Sequence, residues 1–113
     1  MITRASEHPL DKRPNMRGGN GTVELRALVP ELPAKVRLFS RIELAPGCSI
    51  GYHVHENETE LFYFASGSGR ASDDGVWFDV SAGDAMSTPS GHGHAVENTG
   101  TEPLILLAAV VLD

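Results

Sequence analysis

The sequence predicts an all-β domain, a sandwich or barrel of short strands, on three observations. Short runs alternate apolar and polar residues with a period of two; clusters of Gly, Pro, Asn and Asp separate them; and no segment sustains a helical apolar stripe over the length of a helix. Many short strands at regular spacing with Gly and Pro turns are the pattern of closed or two-layered β architectures. At 113 residues the chain has the size of one domain, and it can bury roughly 65% of its unfolded surface in a single core. It needs no staple to fold, so a metal held by such a chain suits chemistry better than rescue of stability.

Residues 1–21 are polar and rich in Pro, Gly and Asn, as in "HPLDKRPNMRGGNG", and show no sustained period. They are expected to form an irregular arm, ordered where it packs on the barrel or on a partner subunit; the barrel domain is expected over residues 22–113. From Thr22 the run "TVELRAL" alternates. In "VRLFSRIEL", Val36, Leu38, Ser40, Ile42 and Leu44 fall on one face and Arg37, Phe39, Arg41 and Glu43 on the other. Ala45, Pro46 and Gly47 stop that strand. Further extended runs are Ile50 to His55, Glu60 to Ala65, Val76 to Val80, Ala85 to Thr88, Ala95 to Asn98, and "LILLAAVVL" at 104–112. The "SDDG" at 72–75 predicts a hairpin turn, with Asp74 tolerant of a turn conformation and Gly75 free to take positive φ.

Composition excludes several function classes. The net charge of −6, with Lys and Arg scattered singly, offers no footprint for nucleic acid or an anionic membrane. The apolar run at 104–112 is far too short to span a bilayer of ~30 Å as a helix and is expected to be a buried strand. The single Cys48 cannot form an internal disulfide, and no charged leader with an apolar stretch opens the sequence, so a reducing cytoplasm is the expected location. A small molecule is the expected partner. The alternation of Val36 to Leu44 and the apolar 104–112 run offer more hydrophobic surface than one small barrel needs, which predicts a homodimer through strand faces.

The chemistry concentrates in two windows. Of five histidines, four lie in "HVHENETE" (53–60) and "SGHGHAVEN" (90–98). Residues two apart on a strand point the same way, so His53 and His55 project together, about 7 Å apart along the chain. A hairpin through "ENET" would return a carboxylate beside them. Glu58 and Glu60 share the parity this requires, and periodicity does not choose between them; Glu56 lies nearest the turn and is the weakest candidate. In the second window His94 leads an extended run, while His92, between two glycines, could be a pocket residue, a partner to a ligand or a loop histidine. His8, in the polar arm, is expected to be a surface residue. Imidazoles plus a carboxylate suit a divalent transition metal, and Fe, Mn, Ni, Zn and Cu are all compatible.

The spacing of these residues resembles the two motifs of the cupin superfamily. Gly47, His53, Val54, His55, Glu60 and Gly67 match the first motif; Gly83, Pro89, Ser90, Gly91, His94 and Asn98 match the second; the 15 residues between them resemble the short spacing of bacterial single-domain cupins. The resemblance implies a double-stranded β-helix (jelly-roll) barrel whose metal is held by His53, His55, Glu60 and His94; it is the resemblance that selects Glu60 over Glu58. Four such ligands would leave a six-coordinate metal two positions for water, oxygen or substrate, and the pKa of a bound water can fall toward ~7. Because coordination needs neutral imidazole, occupancy is expected to fall below roughly pH 6.5.

Around that site, Phe62 and Phe64 are expected to face inward and Tyr63 outward. Met86, Trp77 and Phe39 are expected in the plain core rather than in a pocket. Arg37 and Arg41, with Arg26 nearby, are expected to face solvent, and Cys48 is expected to be a small buried side chain. The function so implied is a metal-dependent enzyme acting on a small oxygen-rich metabolite, whether oxygenase, decarboxylase, lyase or isomerase. The alternative is a non-catalytic ligand-binding or sensing module on the same site.

Overall fold

The alternation in "VRLFSRIEL" forms strand β3 (Val36–Leu44), whose Ser40, Ile42 and Leu44 are buried while Arg37 and Phe39 are exposed. The computed structural model describes residues 1–113 and places nine further strands around β3. These are β1 (Leu10–Pro14), β2 (Thr22–Ala27), β4 (Ser49–Val54), β5 (Glu58–Ser66), β6 (Ser68–Asp73), β7 (Val76–Ser81), β8 (Ala85–Thr88), β9 (Gly93–Glu97) and β10 (Leu104–Leu112). All pairings are antiparallel and build a six-stranded sheet, β1-β2-β3-β10-β5-β8, and a four-stranded sheet, β4-β9-β6-β7. This is a double-stranded β-helix.

Strand β10 is central, paired with β3 on one side and β5 on the other. That position explains why its sequence is apolar on both faces: Leu104, Leu106, Ala108 and Val110 are buried inward, and Ile105, Leu107 and Ala109 are half-buried outward. The core between the sheets combines Val23, Leu25, Ile42, Leu44, Phe62, Phe64, Leu104 and Leu106 from the larger sheet with Ile50, Ala71 and Val96 from the smaller. Asn98 is buried at the rim of this core. Its amide Nδ2 donates to the carbonyls of Leu44 and Glu102, each at 2.8 Å, and its Oδ1 accepts from Gly100 N–H at 2.9 Å. The motif glycines Gly47, Gly67, Gly83 and Gly91 all adopt positive φ at turns.

Four features depart from the sequence reading. Residues 1–21, which show no period, contain 3-10 turns at Ala5–Glu7 and Met16–Gly18 and the strand β1, paired with β2 from Leu10↔Arg26 to Pro14↔Thr22. Every β1 residue is exposed, so burial imposes no alternation on it. Strand β6, "SGRASD", carries no large apolar side chain and so leaves no hydrophobic signature. It forms the predicted hairpin with β7, and the turn places Asp74 at φ 51° and Gly75 at φ 91°. Third, Trp77 and Phe39 are not core residues: they are 43% and 39% exposed on outer sheet faces, and Trp77 lies under the Arg70 guanidinium at 4.3 Å. Met86 does pack against the core. Fourth, β4 and β5 do not form a hairpin. The chain crosses between sheets after His55, through Asn57 at φ 60°. No helix is long and apolar enough to cross a membrane.

Candidate metal centre

The crossover places the four motif residues on facing layers. His53 on β4 stands directly opposite His94 on β9 in the smaller sheet. His55 follows β4, anchored by its N–H to the His92 carbonyl at 3.1 Å and by its carbonyl to Gly91 N–H at 2.7 Å. Glu60 reaches in from β5 on the other sheet, where it pairs with Thr88 of β8. His55, Glu60 and His94 are buried and His53 is half-buried.

The outward nitrogen of each imidazole is anchored. His53 Nδ1 donates to the Gly51 carbonyl at 2.8 Å, and His55 Nδ1 donates to Glu58 Oε2 at 2.6 Å. His94 Nδ1 bonds Thr88 Oγ1 at 2.8 Å, and the Phe62 ring stacks on its face at 4.8 Å. A carbonyl and a carboxylate only accept, so the proton sits on Nδ1 of His53 and His55 and the Nε2 lone pairs point inward. There, His94 Nε2 lies 3.1 Å from His55 Nε2 and 3.2 Å from His53 Nε2. Glu60 Oε1 lies 2.9 Å from His55 Nε2 and 3.0 Å from His94 Nε2. Adjacent ligands at ~2.1 Å from one ion subtend ~3.0 Å when at right angles, and opposed ligands ~4.2 Å. All four donor atoms lie within 4.8 Å of one another. The donor set therefore fits one metal ion of the borderline class that accepts imidazole and carboxylate.

Electrostatics favours the ligating forms. Burial, reinforced by the neighbouring His94, Arg17 and His55, pushes His53 down to about 4 despite its bond to Gly51. His53 is thus neutral well below the ~6.5 of a free imidazole. Glu58 is held at about 2, chiefly by hydrogen bonds from the Arg37 guanidinium and secondarily by His55, against the cost of burial. Glu58 is a residue whose role periodicity left open: it shares Glu60's face, but orients His55 from behind instead of joining the donor set.

Arg37 is exposed, as expected, but it also reaches the site. The register of β10 shifts between Val110, opposite Leu38, and Val111, opposite Val36, leaving Arg37 as the extra residue of a bulge. A bulge re-aims a side chain, and here the guanidinium makes a two-pronged bond to Glu58, at 2.9 and 2.7 Å, and borders the cavity. Arg41 stays on the outer face, paired with Glu43 at 3.1 Å, and Arg26 donates to the His8 carbonyl. His92 is outside the donor cluster. It is exposed and bonds Asp74 Oδ2, whose Oδ1 accepts from Gly93 N–H at 2.9 Å, so it ties the β6–β7 turn to the loop before His94. Asp74 raises the pKa of His92, and His92 lowers that of Asp74. Cys48 is half-buried against the core with no histidine bonded to it.

At the donor cluster opens a cavity of ≈ 340 Å³, bordered by His53, His55 and Glu60 and also by Arg13, Arg17 and Arg37. Met16, Leu25 and Leu38 supply its apolar wall. The sequence carried no periodic signal for Arg13 or Arg17, because both lie in the exposed arm.

A family model described as "Cupin domain" matches residues 40–110. The chain is 42% identical over 114 residues to a Thermotoga maritima protein named "Oxalate-binding protein", covering 99% of this chain and 94% of that one. A solved structure from the same organism, described as a predicted oxalate decarboxylase, superposes with a TM-score of 0.96 at 42% identity over the full length of both chains. The Bacillus subtilis oxalate decarboxylase is 39% identical over 71 residues, covering 58% of this chain and only 18% of its own length. The matched residues span most of the barrel and include both motifs; the chain belongs to the cupin family.

Proposed function

We propose that this chain binds one divalent transition metal through His53, His55, Glu60 and His94, and that it uses the loaded site to bind oxalate or a similar small carboxylate as a non-catalytic module. A cation held by those donors would supply Lewis-acidic positive charge for a carboxylate oxygen. The chain's own residues do the rest. Arg13, Arg17 and Arg37 border the cavity, Arg13 paired with Asp11 and Arg37 with Glu58, and Met16, Leu25 and Leu38 keep part of its wall dry.

The observation that carries the binding reading over turnover is the makeup of that cavity. Decarboxylation of oxalate needs a proton delivered to the carbon left behind, and Glu60, already committed to the donor cluster, is the one carboxylate that borders the space. The full-length relative named for oxalate binding supports the same reading. The decarboxylase relative, which this chain matches in part, supports the second reading of a metal-dependent enzyme. Calorimetric titration of oxalate into Mn²⁺-loaded protein, with formate assayed in the same samples, separates them. Saturable binding without formate supports the module; formate release establishes the enzyme; absence of binding overturns both. The His94→Ala variant is expected to lose metal and ligand together.

We also propose a homodimer through the outer face of the six-stranded sheet. Phe39, Ala109 and Leu61 lie side by side there, with Leu107 and Tyr63 in the next row, around an apolar groove. A second copy would present the same apolar groove to it, with Arg41, beside Leu107, at its edge. Sedimentation is expected to give a dimer at micromolar concentration; a monomer refutes it.

A further inference from the structure

The three arginines bordering the cavity are not equivalent. Arg13 is paired with Asp11 at 2.7 Å and Arg37 with Glu58 at 2.7 Å, whereas Arg17 takes part in none of the ion pairs of the fold. Arg17 is also the one placed by unusual backbone. It sits at φ 54°, ψ 29°, in a stretch where Asn15, Gly18 and Gly21 also take positive φ. A non-glycine residue is held in this left-handed region only when its surroundings impose it.

Those surroundings are built from two glycines. A side-chain carbon on Gly51 would lie 2.1 Å from the Arg17 carbonyl oxygen, and one on Gly19 would lie 2.1 Å from the Ser49 carbonyl oxygen. The arm and β4 therefore pack backbone against backbone. Their contact is tied by Asn20 N–H to Ser49 Oγ at 2.8 Å and by Ser49 N–H to the Asn20 carbonyl at 2.9 Å. Asn15 Nδ2, donating to the Gly19 carbonyl at 3.1 Å, closes the loop on itself. Gly51, the residue pressed against Arg17, is the same one whose carbonyl orients His53. The arm thus anchors the Arg17 backbone beside the histidine-bearing strand, and the side chain, free of ion pairs, borders the cavity.

We infer that Arg17 is a specificity-determining residue: it engages the carboxylate of a short dianion that points away from the donor cluster, and so selects dicarboxylates over monocarboxylates. The inference rests on the oxalate-binding reading. A dianion such as oxalate can place one carboxylate on the loaded donor cluster and the other on the guanidinium fork; a monocarboxylate satisfies only the first.

The test compares oxalate and acetate binding to the Mn²⁺-loaded full chain by calorimetry, for the wild type, Arg17→Asn and Arg17→Gly. Asn and Gly both accept the left-handed backbone, and Gly relieves it, so a folding failure of one variant leaves the other informative. The expected result is an oxalate affinity reduced about 10- to 100-fold in both variants, as for loss of a charge-assisted bond. Acetate affinity, metal content and melting temperature are expected to stay close to wild type. Oxalate bound as tightly by the variants as by wild type overturns the role of Arg17 and leaves the oxalate reading standing. Equal losses for oxalate and acetate overturn it too, by showing a general field rather than a fork. Failure of wild type to bind oxalate overturns the reading beneath.

Discussion

Replacing Glu58 probes how the donor cluster is held. Its carboxylate is shared, with Oε2 accepting from His55 Nδ1 at 2.6 Å while Arg37 grips both oxygens at 2.9 and 2.7 Å. Glu58→Gln keeps the shape and one acceptor but removes the charge; Glu58→Ala removes the anchor altogether. Losing a partner that orients a ligating histidine costs about 10- to 100-fold in metal affinity, or about 1.4 to 2.7 kcal/mol at ~1.36 kcal/mol per decade. Gln is expected near the lower end and Ala near the upper. Competition against a chromophoric chelator at neutral pH measures the difference directly. Because Glu58 ionises at about 2, the difference between wild type and Glu58→Gln is expected to be flat from about pH 5 to 8. Folded Glu58→Ala binding metal within twofold of wild type would refute the reasoning. The depressed Glu58 also stabilises the fold above the ~4.3 of a free glutamate, and that contribution is lost as the pH falls toward about 2.

Other expectations follow from the same geometry. In metal-free protein, NMR titration is expected to place His92 above the ~6.5 of a free imidazole, owing to Asp74, and His53 near 4, owing to burial. The linked stabilities have opposite signs: the His92–Asp74 contribution is full below ~6.5 and is lost as the pH rises through the raised value, whereas the His53 contribution is full above ~6.5 and is lost as the pH falls toward the lowered one. Midpoints in the reverse order would contradict both assignments. Asn98→Ala leaves the buried Leu44 carbonyl and the part-buried Glu102 carbonyl without their amide donor, at a cost of about 2 to 4 kcal/mol. At roughly 4 °C per kcal/mol for a domain of this size, thermal melting is expected to drop by about 8 to 16 °C; a drop under about 3 °C would refute that role.

What the sequence made legible follows from which side chains face the core. Strands β3 and β10 are readable residue by residue because burial forces alternation on β3 and a continuous apolar run on central β10. Strands β1 and β6 were silent, the first because all its residues are exposed and the second because its buried residues are small. The turn after His55 suits a hairpin or a crossover equally, since Asn57 permits the bend and nothing local says which sheet the next strand joins. The convergence of His53, His55, Glu60 and His94 was readable from motif spacing. The parts behind them were not: Glu58 shares a face with Glu60, Thr88 is an ordinary strand residue by sequence, and Arg37 is turned by a bulge that periodicity does not register.

His53 and His94 belong to the smaller sheet, His55 directly follows its strand β4, and Glu60 belongs to the larger sheet. A cation seated among them would act as a rivet through both layers. Chelation would then be felt as a seam opening along the barrel, with amides of β5 and β9 losing protection from hydrogen exchange together, while β3 and β10, hydrogen-bonded to each other within one layer, would stay closed.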